Sequence, residues 1–238
     1  MVKIYSFRDG CKEKNLLGNK GVNLVVMTEI GLPVPPGFVV SIDSYHEYKN
    51  TGNIPDKDIE AAIAQLEQEM NRGLGDGLQV SIRSSGPVSM PGMMDTLLNV
   101  GNIEGIKSAV KQIFDSWNSN RAIEYRRAHR ISGNLGTAAV VQAMVFGNRD
   151  SNSGTGVVFT RNPSTGEKGL FGEYLDQAQG EDVVSGSRTP QPVARLREQM
   201  PEAYQELVRI TDLLESHYRD MQDVEFTIES GTLYILQT

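Results

Sequence analysis

Apolar side chains recur at helical spacing between 15 and 30, where Leu16, Leu17, Leu24, Met27 and Ile30 line one face and Gly31 follows the last turn. That spacing predicts an amphipathic helix over 15–30. The run Leu-Pro-Val-Pro-Pro-Gly at 32–37 reads as a rigid turn that feeds a short strand at 38–41. A second helix is predicted over 56–70, then a glycine-rich turn at 72–77 and a strand at 79–83. The next stretch, 84–95, contains two glycines, two prolines, three methionines and three serines, and follows neither period. Helices are predicted at 103–117 and 122–131. From Thr137 the pattern shifts to short β segments at 138–146, 156–160 and 169–174. A helix at 201–218 precedes a closing hairpin of 224–228 with 233–237. Helices mixed with antiparallel strands, without a βαβ rhythm, predict an α+β fold in two lobes, 1–146 and 147–238.

At 238 residues the chain is long enough for a substantial core. Its most apolar run, 137–146, is far shorter than the roughly 20 residues a membrane-spanning helix needs, so no membrane is expected. Lys3, Arg8, Asp9 and Lys12 near the start do not read as a signal peptide. The single cysteine, Cys11, excludes an internal disulfide and fits a reducing compartment, so the cytoplasm is expected. The net charge of −7 opposes binding to a polyanion. The densest basic stretch, Arg121 to Arg130, has helical spacing and reads as a solvated face making ion pairs; no nucleic acid is expected. An acidic chain that handles phosphates must gather its cations locally or use a bound metal ion.

Four segments carry residues suited to such chemistry. Gly18-Asn-Lys20-Gly21 places two glycines inside a helical pattern, at a cost of about 1 kcal/mol each relative to alanine. Exposed amides beside a lysine make a phosphate site. A tight turn with a solvent lysine has the same appearance. The strand at 79–83 delivers Arg83 to its end, where a guanidinium can grip phosphate oxygens in a fork. The methionine-rich loop at 84–95 reads either as a lid over a ligand or as a surface Ω-loop. Ser153-Gly-Thr-Gly156 enters a strand and reads as a phosphate cradle or a plain hairpin.

Asp223 and Glu225, two apart on a strand, project to one face while Val224, Phe226 and Ile228 face the core. Two adjacent carboxylates repel unless a cation lies between them. Magnesium carried on nucleotide phosphates suits them, because it takes a few carboxylates together with phosphate oxygens. A solvated acidic strand face is the alternative. The hairpin turn Glu229-Ser-Gly231 is read as a three-residue loop that pairs Ile228 with Thr232, setting Glu225 opposite Ile235 and Asp223 opposite Gln237. His46, His129 and His217 stand alone, with no zinc-ligand spacing.

Several long blocks stand out: Val-Ser-Ile-Arg-Ser-Ser-Gly-Pro-Val-Ser-Met-Pro-Gly-Met-Met-Asp-Thr at 80–96, Ser-Gly-Thr-Gly-Val-Val-Phe-Thr-Arg-Asn-Pro from 153, Gly-Glu-Tyr-Leu from 172, Ala-Gln-Gly-Glu-Asp-Val-Val from 178, Arg-Thr-Pro-Gln-Pro from 188, and Asp-Met-Gln-Asp-Val-Glu-Phe from 220. They run in order along nearly the whole chain. Together they resemble the N-terminal, ATP-binding domain of the pyruvate phosphate dikinase family, within the wider phosphoenolpyruvate synthase-like superfamily. The resemblance implies an ATP-grasp-type nucleotide-binding domain with ATP between two lobes. It implies phosphate contacts from Lys20 and Arg83, magnesium at Asp223 and Glu225, Gln237 organising them, and an adenine pocket along 142–145, including Gln142 and Met144. It also implies transfer of phosphoryl from Mg-ATP to a histidine on a swivelling domain that serves a pyruvate- or phosphoenolpyruvate-binding barrel, both absent from this chain. Three departures stand out. The family's Leu-Gln-Thr-Arg ending stops here at Thr238, the helical insertion after the Asn-Val-Gly region is missing, and so are the partner domains. They leave a second reading, a stand-alone, non-catalytic ATP-binding or regulatory module.

Overall fold

Apolar spacing sets the long helices, side-chain caps start several of the shorter ones, and antiparallel pairing sets both main sheets. The computed structural model describes residues 3–180, 182 and 188–238. The chain forms two units: Met1–Ile30 with Pro36–Met144, and Gly31–Pro35 with Val145–Thr238. The proline-rich turn belongs to the second unit, where the Ile235 N–H donates to the Pro33 carbonyl at 2.9 Å.

In the first unit, strands β1 (Ile4–Ser6), β2 (Gly37–Val40), β5 (Val80–Ser85), β6 (Thr96–Val100) and β7 (Ala138–Ala143) form a sheet in the order β1-β2-β7-β5-β6. Short strands β3 (Gly73–Leu74) and β4 (Gly77–Leu78) pair separately. One face of the main sheet carries Phe38, Val40, Val80, Ile82, Ala139 and Val141, all in the core. Helices α2 (Ile42–Thr51), α3 (Asp56–Met70) and α4 (Ile103–Ser116) contribute to the same core through Tyr45, Ile59, Ile63, Ile106, Val110 and Ile113. Each such aliphatic side chain is worth about 2 kcal/mol of burial. Asn102 caps α4, its side-chain oxygen accepting from the Gly105 N–H at 2.7 Å. Helix α1 (Lys14–Glu29) lies on the other face, because a Cβ at Gly21 would stand 3.1 Å from Val39. Helix α5 (Asn120–Ala128) completes this unit.

In the second unit, β8 (Gly154–Arg161), β9 (Lys168–Asp176), β10 (Gln191–Pro192), β11 (Asp223–Glu229) and β12 (Thr232–Gln237) form a sheet in the order β10-β9-β8-β11-β12. Helix α6 (Pro201–Tyr218) buries Leu207, Ile210 and Leu214. It begins with proline in the first turn and ends at a left-handed Arg219.

The structure corrects four expectations. The helix at 15–30 is broken at Gly18, which has φ 67° and ψ −178°. Strand β6 follows what reads as featureless loop, and β1 and α2 were not expected; Ser41 caps α2 by accepting from the Ser44 N–H. The closing turn has two residues, Ser230 and Gly231, both at positive φ, so Glu229 rather than Ile228 pairs with Thr232. Tertiary bonds hold Ser230 left-handed: its N–H donates to Ser153 Oγ at 3.0 Å and its hydroxyl to Asp150 Oδ2 at 2.5 Å. Finally, β12 carries a bulge. Ile235 pairs with Phe226, but Gln237 pairs with Glu225, leaving Leu236 as the extra residue.

Candidate functional site

The first unit places Arg83 on β5 opposite Val140 on one side and Thr96 on the other. Ser81 pairs with Gln142, so Ser81, Arg83, Val140 and Gln142 share the face on which α1 lies. Arg83 is half-buried, and the Gln142 side chain is only 1% exposed. Met144 sits half-buried just past β7; its N–H donates to the Gln79 carbonyl at 2.8 Å and its sulfur accepts from the Asn99 N–H at 3.1 Å. Lys20 lies in α1 two residues beyond the break at Gly18, half-buried. Lys20 and Arg83 thus belong to the same side of one sheet.

Sequence reasoning missed what holds Lys20 there. Ser85, at the end of β5, donates its hydroxyl to the Leu17 carbonyl at 2.7 Å and accepts from the Gly21 N–H at 3.0 Å. The two glycines of the Gly-Asn-Lys-Gly run were the one available signal.

The methionine-rich loop is tied down at its far end. Arg121 pairs with Asp95 and donates from Nε to the Met93 carbonyl at 3.1 Å, while Gln112 donates to Asp95 at 3.2 Å. Met90 and Met94 pack against the core. The basic stretch in α5 is similarly occupied: Arg126 is 6% exposed with its guanidinium 4.3 Å from the Trp117 ring centre, and Arg127 pairs with Glu124. No cationic patch results from these three arginines.

In the second unit, Asp223, Glu225, Thr227 and Glu229 share the face of β11 opposite the fully buried Val224, Phe226 and Ile228. Glu229 is engaged at one end, pairing with Arg149 and accepting from the Phe146 N–H. At the other end Asp223 and Glu225 are adjacent. Surrounding protein and, next, the Glu225 charge push the Asp223 carboxyl above its ordinary range. Gln237, paired with Glu225 across the bulge, presents an amide on that same face. Among the described residues no group of three or more His, Cys, Asp or Glu could hold a metal ion. Two repelling carboxylates and an amide fit a magnesium ion that takes its remaining ligands from phosphate and water, and fit zinc poorly.

Gly154 and Gly156 are not a phosphate cradle. Both lie in the ladder of β8 between β9 and β11, and a Cβ at Gly156 would stand 2.5 Å from the Glu173 carbonyl oxygen and 2.8 Å from Phe226. These glycines make room for close packing. Of the Ala178 to Val184 block, Glu181, Val183 and Val184 lie outside the described residues.

The family model for the AMP/ATP-binding domain of pyruvate phosphate dikinase matches residues 51–204 and 193–238. Pyruvate, phosphate dikinase of Clostridium symbiosum is 39% identical over 332 aligned positions, taking in 99% of this chain and 38% of that protein. The chloroplastic pyruvate, phosphate dikinase of Mesembryanthemum crystallinum is 36% identical, over 99% of this chain and 35% of its own length. The chain therefore spans well under half of these curated relatives. The alignment with the Clostridium protein is longer than the 238 residues here, so that relative holds inserted segments that this chain lacks. Among solved structures, D-alanyl-alanine synthetase A of Vibrio cholerae superposes with a TM-score of 0.48 and 14% identity, covering 92% of this chain and 54% of that one.

Proposed function

We propose, from the premise that this chain belongs to the family of pyruvate phosphate dikinase AMP/ATP-binding domains, that it binds ATP with magnesium and donates a phosphoryl group to a histidine of a separate swivelling domain. Its fold in this reading is of the ATP-grasp type. Lys20 and Arg83 take the phosphates: the lysine as a compact charge, the arginine as a planar fork that holds two oxygens at once. Asp223 and Glu225 hold magnesium, and Gln237 orients that group. Bound there, magnesium would neutralise phosphate charge and polarise the phosphorus–oxygen bond. Met144 and the β7 segment from Gln142 line the adenine side. The acceptor histidine and a barrel for pyruvate or phosphoenolpyruvate belong to domains outside this chain. We assign the protein to the cytoplasm, in keeping with its single cysteine; among the described residues no helix is long and apolar enough to cross a membrane.

The observation that carries this reading is the pair Asp223 and Glu225, held side by side on a rigid strand at a cost in mutual repulsion, with Gln237 beside them. A surface face selected only for solubility has no need of that arrangement. Calorimetry on the chain tests it. Glu225→Ala is expected to weaken Mg-ATP binding about tenfold while leaving magnesium-free ATP binding nearly unchanged. In the complete enzyme, Arg83→Ala should slow phosphoryl transfer by roughly 100-fold or more, the scale for losing one preorganised charge-stabilising donor. Unaltered Mg-ATP affinity in the Glu225 variant would reduce the carboxylate pair to a solvated strand face.

A further inference from the structure

The break in α1 falls two residues before Lys20, and one side chain from a distant part of the sequence occupies it. In an unbroken helix the Gly21 N–H would donate to the Leu17 carbonyl, four residues earlier. Here the hydroxyl of Ser85 is inserted into that step. It donates to the Leu17 carbonyl at 2.7 Å and accepts from the Gly21 N–H at 3.0 Å, so both backbone groups are satisfied through it. A side chain inserted into the helical ladder is a recognised cause of a kink. Ser85 is only 2% exposed, so the inserted hydroxyl is shielded from bulk solvent.

Two further contacts fix the same segment. The Asn19 N–H donates to the Gly86 carbonyl at 2.9 Å. Gly18, with φ 67° and ψ −178°, lies so close to Ser85 that a Cβ would stand 1.9 Å from its carbonyl oxygen. Ser85 is itself anchored, its N–H donating to Thr137 Oγ1 at 3.1 Å, and that hydroxyl donating to the Ala138 carbonyl at 2.9 Å. Backbone from 17 to 21 is therefore registered onto β5, the strand that carries Arg83 two residues before Ser85.

We propose that Ser85 is a positioning residue for Lys20: its hydroxyl holds α1 kinked and so sets the lysine in one frame with Arg83. This rests on the reading of Lys20 as a phosphate contact. Preorganised charges lose effect when they are displaced by as little as an ångström. Without the hydroxyl, the Leu17 carbonyl and Gly21 N–H are released to bond each other directly. That change straightens the helix step and turns Lys20 away from its present direction.

The test is a double-mutant cycle read by calorimetry with Mg-ATP on the 238-residue chain, using the wild type, Ser85→Ala, Lys20→Ala and the double variant. Ser85→Ala is expected to weaken binding about tenfold on its own, and by less than about twofold when Lys20 is already alanine. A purely structural serine would lower the melting temperature equally in both backgrounds and multiply its effect on affinity in both. Additive losses, or normal affinity in Ser85→Ala while Lys20→Ala binds weakly, would overturn the proposal alone. A wild-type chain that does not bind Mg-ATP, or a Lys20→Ala variant that binds as the wild type does, would take the functional reading down with it. If Ser85→Ala does not fold, Ser85→Cys carries the cycle, since a thiol keeps the shape with weaker hydrogen bonding. Its affinity should still fall, and the loss should still vanish without Lys20; undiminished affinity would count against the proposal.

Discussion

Gln237 stands directly opposite Glu225 across the β11–β12 ladder, although a regular continuation from the two-residue turn would put Leu236 there and turn Gln237 toward the core. The bulge at Leu236 makes the difference, because one extra residue exchanges the faces of everything beyond it. If the amide matters through that placement, Gln237→Leu should weaken Mg-ATP binding by about tenfold, the scale for a hydrogen bond to a charged group. Deleting Leu236 should cost little, because the ladder then runs regularly and still brings the glutamine opposite Glu225. Calorimetry on both variants checks this; a deletion as damaging as the substitution would show that the bulge itself is needed.

Repulsion at the carboxylate pair gives a second expectation, of opposite sign for stability and for binding. Asp223 is exposed at the start of β11, but nearby protein partly desolvates its carboxyl and, next, the Glu225 charge opposes its ionisation. Its pKa is raised, so folded protein holds that proton to higher pH than unfolded chain does. Stability from this group is therefore present at low pH and lost as pH rises through the folded pKa. At pH 7, without metal, Asp223→Asn should raise the melting temperature by about 1–2 °C. The same variant should bind Mg-ATP about tenfold more weakly. A melting curve and a binding isotherm measured on one preparation decide it, and a loss of both stability and affinity would contradict the repulsion argument.

Elements with strong local periodicity were legible in the sequence, and most of those that were missed depend on distant partners; α2, capped locally by Ser41, is the exception. Helices α3 and α6 follow from their apolar spacing, and α6 also from Pro201 at its start. The common face of Asp223 and Glu225 follows from the two-residue period of a strand. The break in α1 was hidden because its cause, Ser85, is 68 residues from Leu17. The hairpin register was misread for a similar reason. Serine rarely takes a left-handed turn position unaided, and the groups that hold Ser230 there, Asp150 and Ser153, lie 80 and 77 residues away. Short β6 follows a loop without periodicity, and its identity comes from pairing with β5.

Gly18 should be irreplaceable. Its φ and ψ fall in a region reserved almost wholly for glycine, and an added Cβ would meet backbone, which cannot swing aside. Gly18→Ala is expected to destabilise the chain by about 3 kcal/mol or more, combining backbone strain with a steric clash. Denaturant titration measures this. A loss below about 1 kcal/mol would mean that α1 relaxes into a continuous helix, which circular dichroism would register as added helical signal.

The loop that follows Ser85 is fastened at its other end by Arg121. Its guanidinium holds both the Asp95 carboxylate and the Met93 carbonyl, and Gln112 adds a bond to Asp95. An exposed ion pair alone is worth little, but here one arginine closes two bonds on a segment with few others. Arg121→Ala should therefore speed hydrogen exchange at 88–95 by about tenfold, leaving α4 amides unchanged. If the loop is also a lid, saturating Mg-ATP should slow exchange at the same positions in the wild type, and more weakly in the variant. Exchange that ignores Arg121 would assign the loop's order to the packing of Met90 and Met94 on the core. Exchange that ignores Mg-ATP would leave a surface loop whose methionines serve the fold alone.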